Sequence, residues 1–353
     1  VASEETRDVA LAAAKECGIP AERVLVLSSK PGAWSLADTV HPSRNLLDRH
    51  EERDWLRITN KKLLDEVAIA LMFSSGTTGP PKGVIMTHHN LVSQTLVWQA
   101  TLLDSLNSSN SRYRTFEYRT LGHLPAAHVA GSQGYFINPT VSGGTCFWMP
   151  KFELQQFIRY NKEYRITHMI SVPSILLQCV NDSGVSDHFH SLVHLQIGAA
   201  PLGPDLQRRG QALLAQGAYL NQSWGLTETC AASTMTPWYQ SDLTGGIGSL
   251  LPNCRLKIVG EDGEEVAEGK EGEILVKGPI VTRGYWRNEV ATKGAFAKNG
   301  WLKTGDIGLR RDGIFYIVDR KKVCARLGTC PALPLFSIIG LNTYLSHKRR
   351  AKF

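Results

Sequence analysis

What this sequence has little of bounds its class before any motif is read. No apolar run approaches the ~18–20 residues that a membrane-spanning helix requires, so no span is expected. The chain starts at Val1, without an initiator methionine and without the charged-then-apolar pattern of a secretory leader. It opens like the middle of a domain, which predicts truncation at the front. Cysteine pairs are also lacking: Cys17, Cys146, Cys179, Cys230, Cys254, Cys324 and Cys330 are scattered, odd in number and include no C-x-x-C. That argues against a disulfide framework or a zinc site, fits a reducing compartment and predicts a cytoplasmic location. Acidic residues vanish at one end: from Arg320 to Phe353 there are eight Lys/Arg and no Asp/Glu. The net charge of +7 comes from that stretch, because the rest of the chain holds 31 basic and 32 acidic residues. A basic stripe over the folded surface marks a nucleic-acid binder. A basic tail on a neutral body does not, and no nucleic-acid partner is expected.

What is present is a core-forming chain of 353 residues, long enough for two domains or one large one with subdomains. Strand-like runs alternate with helix-period segments. Val24–Ser29 is a short apolar run, and Ser43–Glu66 is a polar surface excursion or linker. Val67–Phe73 reads as a buried strand ending in a Ser/Thr/Gly cluster, and His88–Leu103 follows as a helix. Strands are expected at Gly143–Met149, His168–Val172, Leu192–Gly198 and Ala218–Gln222. Helices are expected at Leu154–Tyr164, Ser174–Val180 and Pro204–Ala215. Such alternation predicts βαβ units with parallel sheets. After about Gly245 short alternating strands (Arg255–Val259, Glu273–Lys277, Gly313–Val318) are separated by Asp-Gly and Asn-Gly turns, which predicts an appended antiparallel sheet. Ligand sites in α/β sheets lie beyond the strand C-terminal ends, where the Gly/Ser/Thr clusters of this chain fall.

The first segment with chemistry in it is Ser74-Ser75-Gly76-Thr77-Thr78-Gly79-Pro80-Pro81-Lys82-Gly83. Backbone N–H groups and hydroxyls of such a loop can surround phosphate oxygens, and the lysine adds a mobile positive charge. A Walker loop requires G-x-x-x-x-G-K-[ST]; Lys82 is preceded by Pro81 and followed by Gly83, so this is not that loop. The string closely resembles the phosphate loop of the adenylate-forming superfamily, which includes acyl-CoA synthetases, 4-coumarate–CoA ligases, luciferases and peptide-synthetase adenylation domains.

Further segments resemble that superfamily in the same order. Gly198-Ala199-Ala200-Pro201-Leu202 is similar to the strip that packs against adenine, where small residues let a flat ring lie on backbone. Gln222-Ser223-Trp224-Gly225-Leu226-Thr227-Glu228 resembles the second nucleotide motif, which implies Thr227 at the α-phosphate and Glu228 as a hard oxygen ligand for Mg²⁺. Trp301-Leu302-Lys303-Thr304-Gly305-Asp306 is similar to the segment whose aspartate holds both ribose hydroxyls, and Arg320 to an arginine that reaches the ribose. Lys322 occupies the family's pivot between two orientations. Leu124-Pro125-Ala126-Ala127-His128-Val129-Ala130-Gly131 resembles the segment whose histidine gates the carboxylate end of the acyl site, with Val129 and Ala130 in the substrate pocket. In 4-coumarate ligases a tyrosine at the position of Ala130 meets the substrate phenol. A methyl group cannot, which disfavours hydroxycinnamates and favours an aliphatic or different aryl acid.

The resemblance runs from Val1 to Lys322 and stops abruptly, so the residues from about Val323 are expected to be foreign to the family. It implies an α/β fold: two layered βαβ subdomains within residues 1–244, an appended antiparallel β subdomain at 245–319, and a hinge start with a non-family tail at 320–353. The family's C-terminal lid domain is expected to be missing. The implied activity is ATP-dependent conversion of a carboxylic acid to an acyl-adenylate, then transfer to a thiol, that of CoA. ATP, Mg²⁺ and CoA are the implied cofactors, and a carboxylic acid and CoA the small-molecule partners. The alternative is an inactive fragment that binds nucleotide or a partner without turnover, and a kinase-like reading would give ADP instead of AMP. The Ala351-Lys352-Phe353 end loosely resembles a peroxisomal tripeptide, a second option for location.

Overall fold

A computed structural model describes residues 2–30, 33–42, 57–74, 81–109, 111, 113, 115 and 117–320. The chain divides into two compact units, Val1–Ile58 and Thr59–Phe353. In the first, strands β1 (Ala2–Ser3), β2 (Leu25–Lys30) and β3 (Ala33–Asp38) form one sheet, with helix α1 (Arg7–Glu16) between β1 and β2. β1 and β2 run parallel, and β2 and β3 antiparallel. Asp38 ends β3 by accepting hydrogen bonds from the backbone N–H groups of Val40 (2.9 Å) and His41 (2.6 Å), a turn in which a short carboxylate stands in for backbone.

The second unit opens with α2 (Lys61–Glu66), whose first turn is capped by Asn60 accepting from the N–H groups of Lys62 and Leu63. The polar excursion expected at Ser43–Glu66 therefore ends in a helix. β4 (Ala68–Ser74) and β5 (Lys82–Thr87) pair antiparallel, with Ser74 opposite Lys82. The expected passage from strand through loop to helix is thus corrected: a second strand intervenes, because Gly83-Val84-Ile85-Met86-Thr87 is itself a β-favouring run. β4 also alternates where a buried strand was expected. Ile69, Leu71 and Phe73 are exposed (Phe73 to 70%), since among the described residues a two-stranded sheet has one uncovered face.

Thr87 then starts α3 (His88–Asn107) with a reciprocal cap: its hydroxyl accepts from Asn90 N–H, and Asn90 Oδ1 accepts from Thr87 N–H. After β6 (Arg119–Gly122), α4 (Val129–Gly131) runs through a π-helical turn at Ser132–Ile137 into α5 (Asn138–Ser142). The remaining α/β part is β7 (Thr145–Trp148), α6 (Leu154–Glu163), β8 (His168–Ser171), α7 (Pro173–Asn181), β9 (His194–Ile197), α8 (Pro204–Gln211), β10 (Tyr219–Leu226), β11 (Ala231–Met235) and β12 (Ser249–Leu250). Proline at the first position of α7 and α8 suits a site whose N–H would be unpaired in any case. β6 pairs parallel with β7, and β8-β9-β10 are parallel neighbours. β11 and β12 extend that sheet antiparallel, so it is mixed.

The core of this part gathers Phe157, Ile158, Leu176, Cys179, Leu195, Ile197 and Leu220 where α6, α7 and α8 cover the parallel strands. Then β13 (Arg255–Val259), β14 (Gly272–Lys277), β15 (Leu302–Arg311) and β16 (Ile314–Arg320) form a four-stranded antiparallel sheet, with α9 (Glu289–Ala295) between β14 and β15. Trp224, Ile247, Ile258, Ile274, Val276 and Phe315 pack together beneath it. The α/β class with an appended antiparallel sheet is as expected. No helix among the described residues is long and apolar enough to cross a membrane.

Candidate functional site

Two cavities adjoin at the C-terminal ends of β8, β9 and β10. The larger, about 230 Å³, lies among Trp98, Leu124, His128, Val129, Ala130, Ile170, Ser171 and Met235. The smaller, about 90 Å³, is bounded by Ala199, Ala200, Pro201, Trp224, Leu226, Ile317 and Arg320, with Asp306 in its wall. Ala199, Ser223 and Gly225 belong to both. This is where open α/β sheets bind ligands.

The smaller cavity is built on irregular backbone. Ala199 follows β9 with φ +68°, a left-handed conformation that costs an alanine about 1 kcal/mol or more. The register of β10 against β11 shifts between Trp224 and Gly225. A Cβ on Gly225 would stand 1.7 Å from the Ala231 carbonyl oxygen, so only glycine fits that close approach. Gln222 is buried, and its amide is used within the protein: Oε1 accepts from Leu202 N–H (2.9 Å), and Nε2 donates to the carbonyls of Leu202 and Gly246. Gln222 therefore braces the 198–202 strip. Ser223 accepts at 2.7 Å from Gln196.

Asp306 lies inside strand β15 and is buried, so it is no turn aspartate. Trp224 Nε1 donates to its Oδ2 and Arg320 Nε to its Oδ1, both at 2.9 Å. Burial raises its pKa, and the Arg320 charge and the Trp224 hydrogen bond oppose that. A carboxylate offers about four lone-pair sites, and these two donors use two of them.

Thr227 and Glu228 stand in a single 3₁₀ turn after β10, followed by Cys230 and Ala231 at φ +54° and +117°. Glu228 accepts from the Tyr285 hydroxyl at 2.8 Å, and Lys82 Nζ lies 5.1 Å from the centre of the Tyr285 ring. Burial, then the Glu228 charge, raise the pKa of that phenol, so Tyr285 stays a neutral donor. Lys82, at the exit of the phosphate-loop segment, and Glu228 are thus joined through one aromatic ring. Ser74 is the last residue of β4; Ser75, Gly76, Thr77, Thr78 and Gly79 lie outside the described residues. No cluster of three His, Cys, Asp or Glu able to hold a metal occurs among the described residues. A lone Glu228 suits Mg²⁺, which binds through one or two carboxylates with the rest of its shell from phosphates and water.

At the other end, His128 is the cap residue of α4, its Nδ1 accepting from Ala130 N–H at 3.2 Å. Partial desolvation at the cavity wall lowers its pKa, although the residue stays solvent-accessible. Val129 is buried and Ala130 lines the same wall. Sequence reasoning missed Tyr285, which is 57 residues from Glu228 and has no local signal. It also missed Gln94, Gln133, Asn138 and Gln196 in the cavity wall. Gln196 carried a readable cue, a polar residue inside the apolar run Leu195-Gln196-Ile197.

Comparison with known proteins places these features in a family. The model of the AMP-binding enzymes matches residues 5–286. A protein of Emericella nidulans, described as a candidate acyl-coenzyme A synthetase, is 48% identical over 91% of this chain and 57% of its own length. Acyl-CoA ligase azaF of Aspergillus niger is 33% identical over 91% of this chain and 60% of its own. ATP-bound MatB from Rhodopseudomonas palustris superposes with a TM-score of 0.72 at 26% identity, covering 90% of this chain and 58% of that one. MenE from Bacillus subtilis, in complex with ATP and magnesium ion, gives 0.61 at 27%, covering 73% and 51%. The chain spans a little under three fifths of the first relative's length. With its adjoining cavities, its buried Asp306 and the family match over most of its residues, the chain belongs to the AMP-binding enzymes.

Proposed function

We propose that this protein activates a carboxylic acid with ATP and passes the acyl group to the thiol of CoA. The acid's carboxylate oxygen attacks the α-phosphorus, and the bond to pyrophosphate breaks. The thiolate sulfur then attacks the acyl carbon, and AMP leaves. The observation that carries this reading is the shared wall of the two cavities at Ala199, Ser223 and Gly225, across which an acyl group in one would meet a nucleotide in the other. Positioning and charge neutralisation are the site's work in phosphoryl transfer. Asp306 and Arg320 would take the ribose hydroxyls, Gly198-Ala199-Ala200 the adenine and Thr227 the α-phosphate. The Ser74–Gly79 segment and Lys82 would take the outer phosphates, and His128 the carboxylate end. Glu228 would hold Mg²⁺, which supplies positive charge to the departing pyrophosphate. CoA as the acceptor is supported by relatives named acyl-CoA ligase and phenylacetyl-CoA ligase.

The test is exchange of labelled pyrophosphate into ATP across a panel of carboxylic acids, with the nucleotide product identified. Acid-dependent exchange with AMP as product is expected, and ADP would overturn the reading. ATP binding without exchange for any acid would favour the alternative of nucleotide binding without turnover.

A further inference from the structure

Residues 282–286 tie together two parts of the site that lie far apart in the chain, strand β5 and the turn that carries Glu228. On one side Ile85 N–H donates to the Gly284 carbonyl (3.0 Å), Trp286 N–H to the Gly83 carbonyl (2.7 Å), and the Thr282 hydroxyl to the Ile85 carbonyl (2.6 Å). On the other side Thr282 N–H donates to the Glu228 carbonyl at 2.8 Å. Thr282 is buried, and hydrogen bonds away from water are electrostatically stronger than exposed ones. The segment therefore fixes the backbone of Gly83 and that of Glu228 relative to each other.

Backbone bonds alone would make this a structural strap. Tyr285 goes further, because its side chain reaches a functional group on both sides. Its hydroxyl donates to Glu228 Oε1 at 2.8 Å, and Lys82 Nζ lies 5.1 Å from the centre of its ring. A glutamate loses rotamer freedom when it engages a cation, and so does a lysine when it engages a phosphate. A partner that holds each of them beforehand removes part of that cost. The phenol does so without cancelling either charge: a hydroxyl leaves the carboxylate ionised, and a ring face attracts an ammonium without neutralising it. Resting on the roles of Glu228 and Lys82 in the reading above, we infer that Tyr285 is the positioning residue of the phosphate end. Its two halves have different tasks: the hydroxyl orients Glu228 for a divalent cation, and the ring holds Lys82 for the outer phosphates.

The experiment is calorimetric titration of the full chain with AMP, with ATP in metal-free buffer and with Mg-ATP. The variants are Tyr285→Phe and Tyr285→Leu, each alone and combined with Glu228→Gln or Lys82→Met. Tyr285→Phe keeps the ring and is expected to weaken Mg-ATP severalfold while leaving AMP and metal-free ATP unchanged. That loss should vanish in the Glu228→Gln background, as coupled residues show in a double-mutant cycle. Tyr285→Leu removes the ring as well and should add a loss of about threefold for ATP with or without metal. The added loss should be absent once Lys82→Met is present. A strap without positioning would lower the affinities for AMP and Mg-ATP together. That result, a Tyr285→Phe effect equal with and without Mg²⁺, or effects that simply add to those of Glu228→Gln and Lys82→Met, overturns the inference. If Glu228→Gln and Lys82→Met bind Mg-ATP as tightly as the unaltered protein, the roles given to them in the reading above fall too. If they weaken it and Tyr285→Phe does not, the inference alone falls.

Discussion

Three histidines are buried with no acid beside them among the described residues, and they should make this fold sensitive to mild acid. His168 and His194 sit side by side on β8 and β9, 0% exposed, with both rings stacked against Trp238 (centroids 4.8 and 4.3 Å). None of their four ring nitrogens has a hydrogen-bond partner among the described residues. His123, also buried, lies within hydrogen-bond distance of the Leu121 carbonyl and the Ser171 hydroxyl. Desolvation pushes His123 down to about 4 and His168 to about 3, and it lowers His194 well below the ordinary value, with the neighbouring His168 adding to the effect.

A histidine whose pKa is depressed by folding stays neutral in the native state while the unfolded chain takes up a proton. Stability is therefore complete above about pH 6.5 and falls as pH drops from there toward about 4. At pH 5 His123 and His168 have each cost about 2 kcal/mol, and His194 adds a loss in the same direction. That is comparable with the whole stability of many domains, which is ~5–15 kcal/mol. Asp38 and Asp187, held low chiefly by a backbone N–H and by Lys162 respectively, lose their contributions only as pH falls below the ordinary carboxylate range, outside this window. Urea unfolding followed by tryptophan fluorescence from pH 7.5 to 5 should show the midpoint falling steeply. The His168→Leu/His194→Leu pair, of nearly equal volume, should remove the larger part of the slope. A flat midpoint between pH 7.5 and 5, or an unchanged slope in the double variant, would refute the reasoning.

Three further outcomes follow from the site. Asp306→Asn should raise the dissociation constants of ATP and AMP alike, about tenfold or more by calorimetry, and leave pyrophosphate unaffected, since charge-assisted hydrogen bonds to the ribose are lost. Tyr285→Phe deletes the donor to Glu228; it should weaken Mg-ATP binding severalfold with little change for AMP, and equal effects on both would remove Tyr285 from the phosphate end. Gly225→Ala forces a methyl against the Ala231 carbonyl. It should destabilise by about 1–3 kcal/mol, whereas Gly203→Ala, whose added Cβ meets nothing within 4 Å, should leave the melting temperature nearly unchanged.

How much of this could be read in the sequence depended on whether the determinants were local. β8, β9, α6 and α8 were legible because apolar periodicity, proline at a helix start and short connections act within ten residues or so. β5 was not, since its residues adjoin a motif whose glycines and prolines dominate the reading. Asp306 could be named from its segment, but its burial could not, because Trp224 and Arg320 reach it from other strands. Tyr285 and the carboxamide wall were invisible for the same reason. A hydroxyl 57 positions from its carboxylate, or a glutamine on α3 lining the same cavity as one on β9, is placed by tertiary packing and not by any neighbour in the chain. Local rules also handle badly a group of three non-glycine residues at positive φ, Ala199, Cys230 and Ala231, although Arg165 and Arg287 adopt such a conformation elsewhere. All three lie along the two cavities, in their walls or directly beside them. Backbone strain of this kind persists only where surrounding packing holds it, and at these three positions it coincides with the site that the motifs had indicated independently.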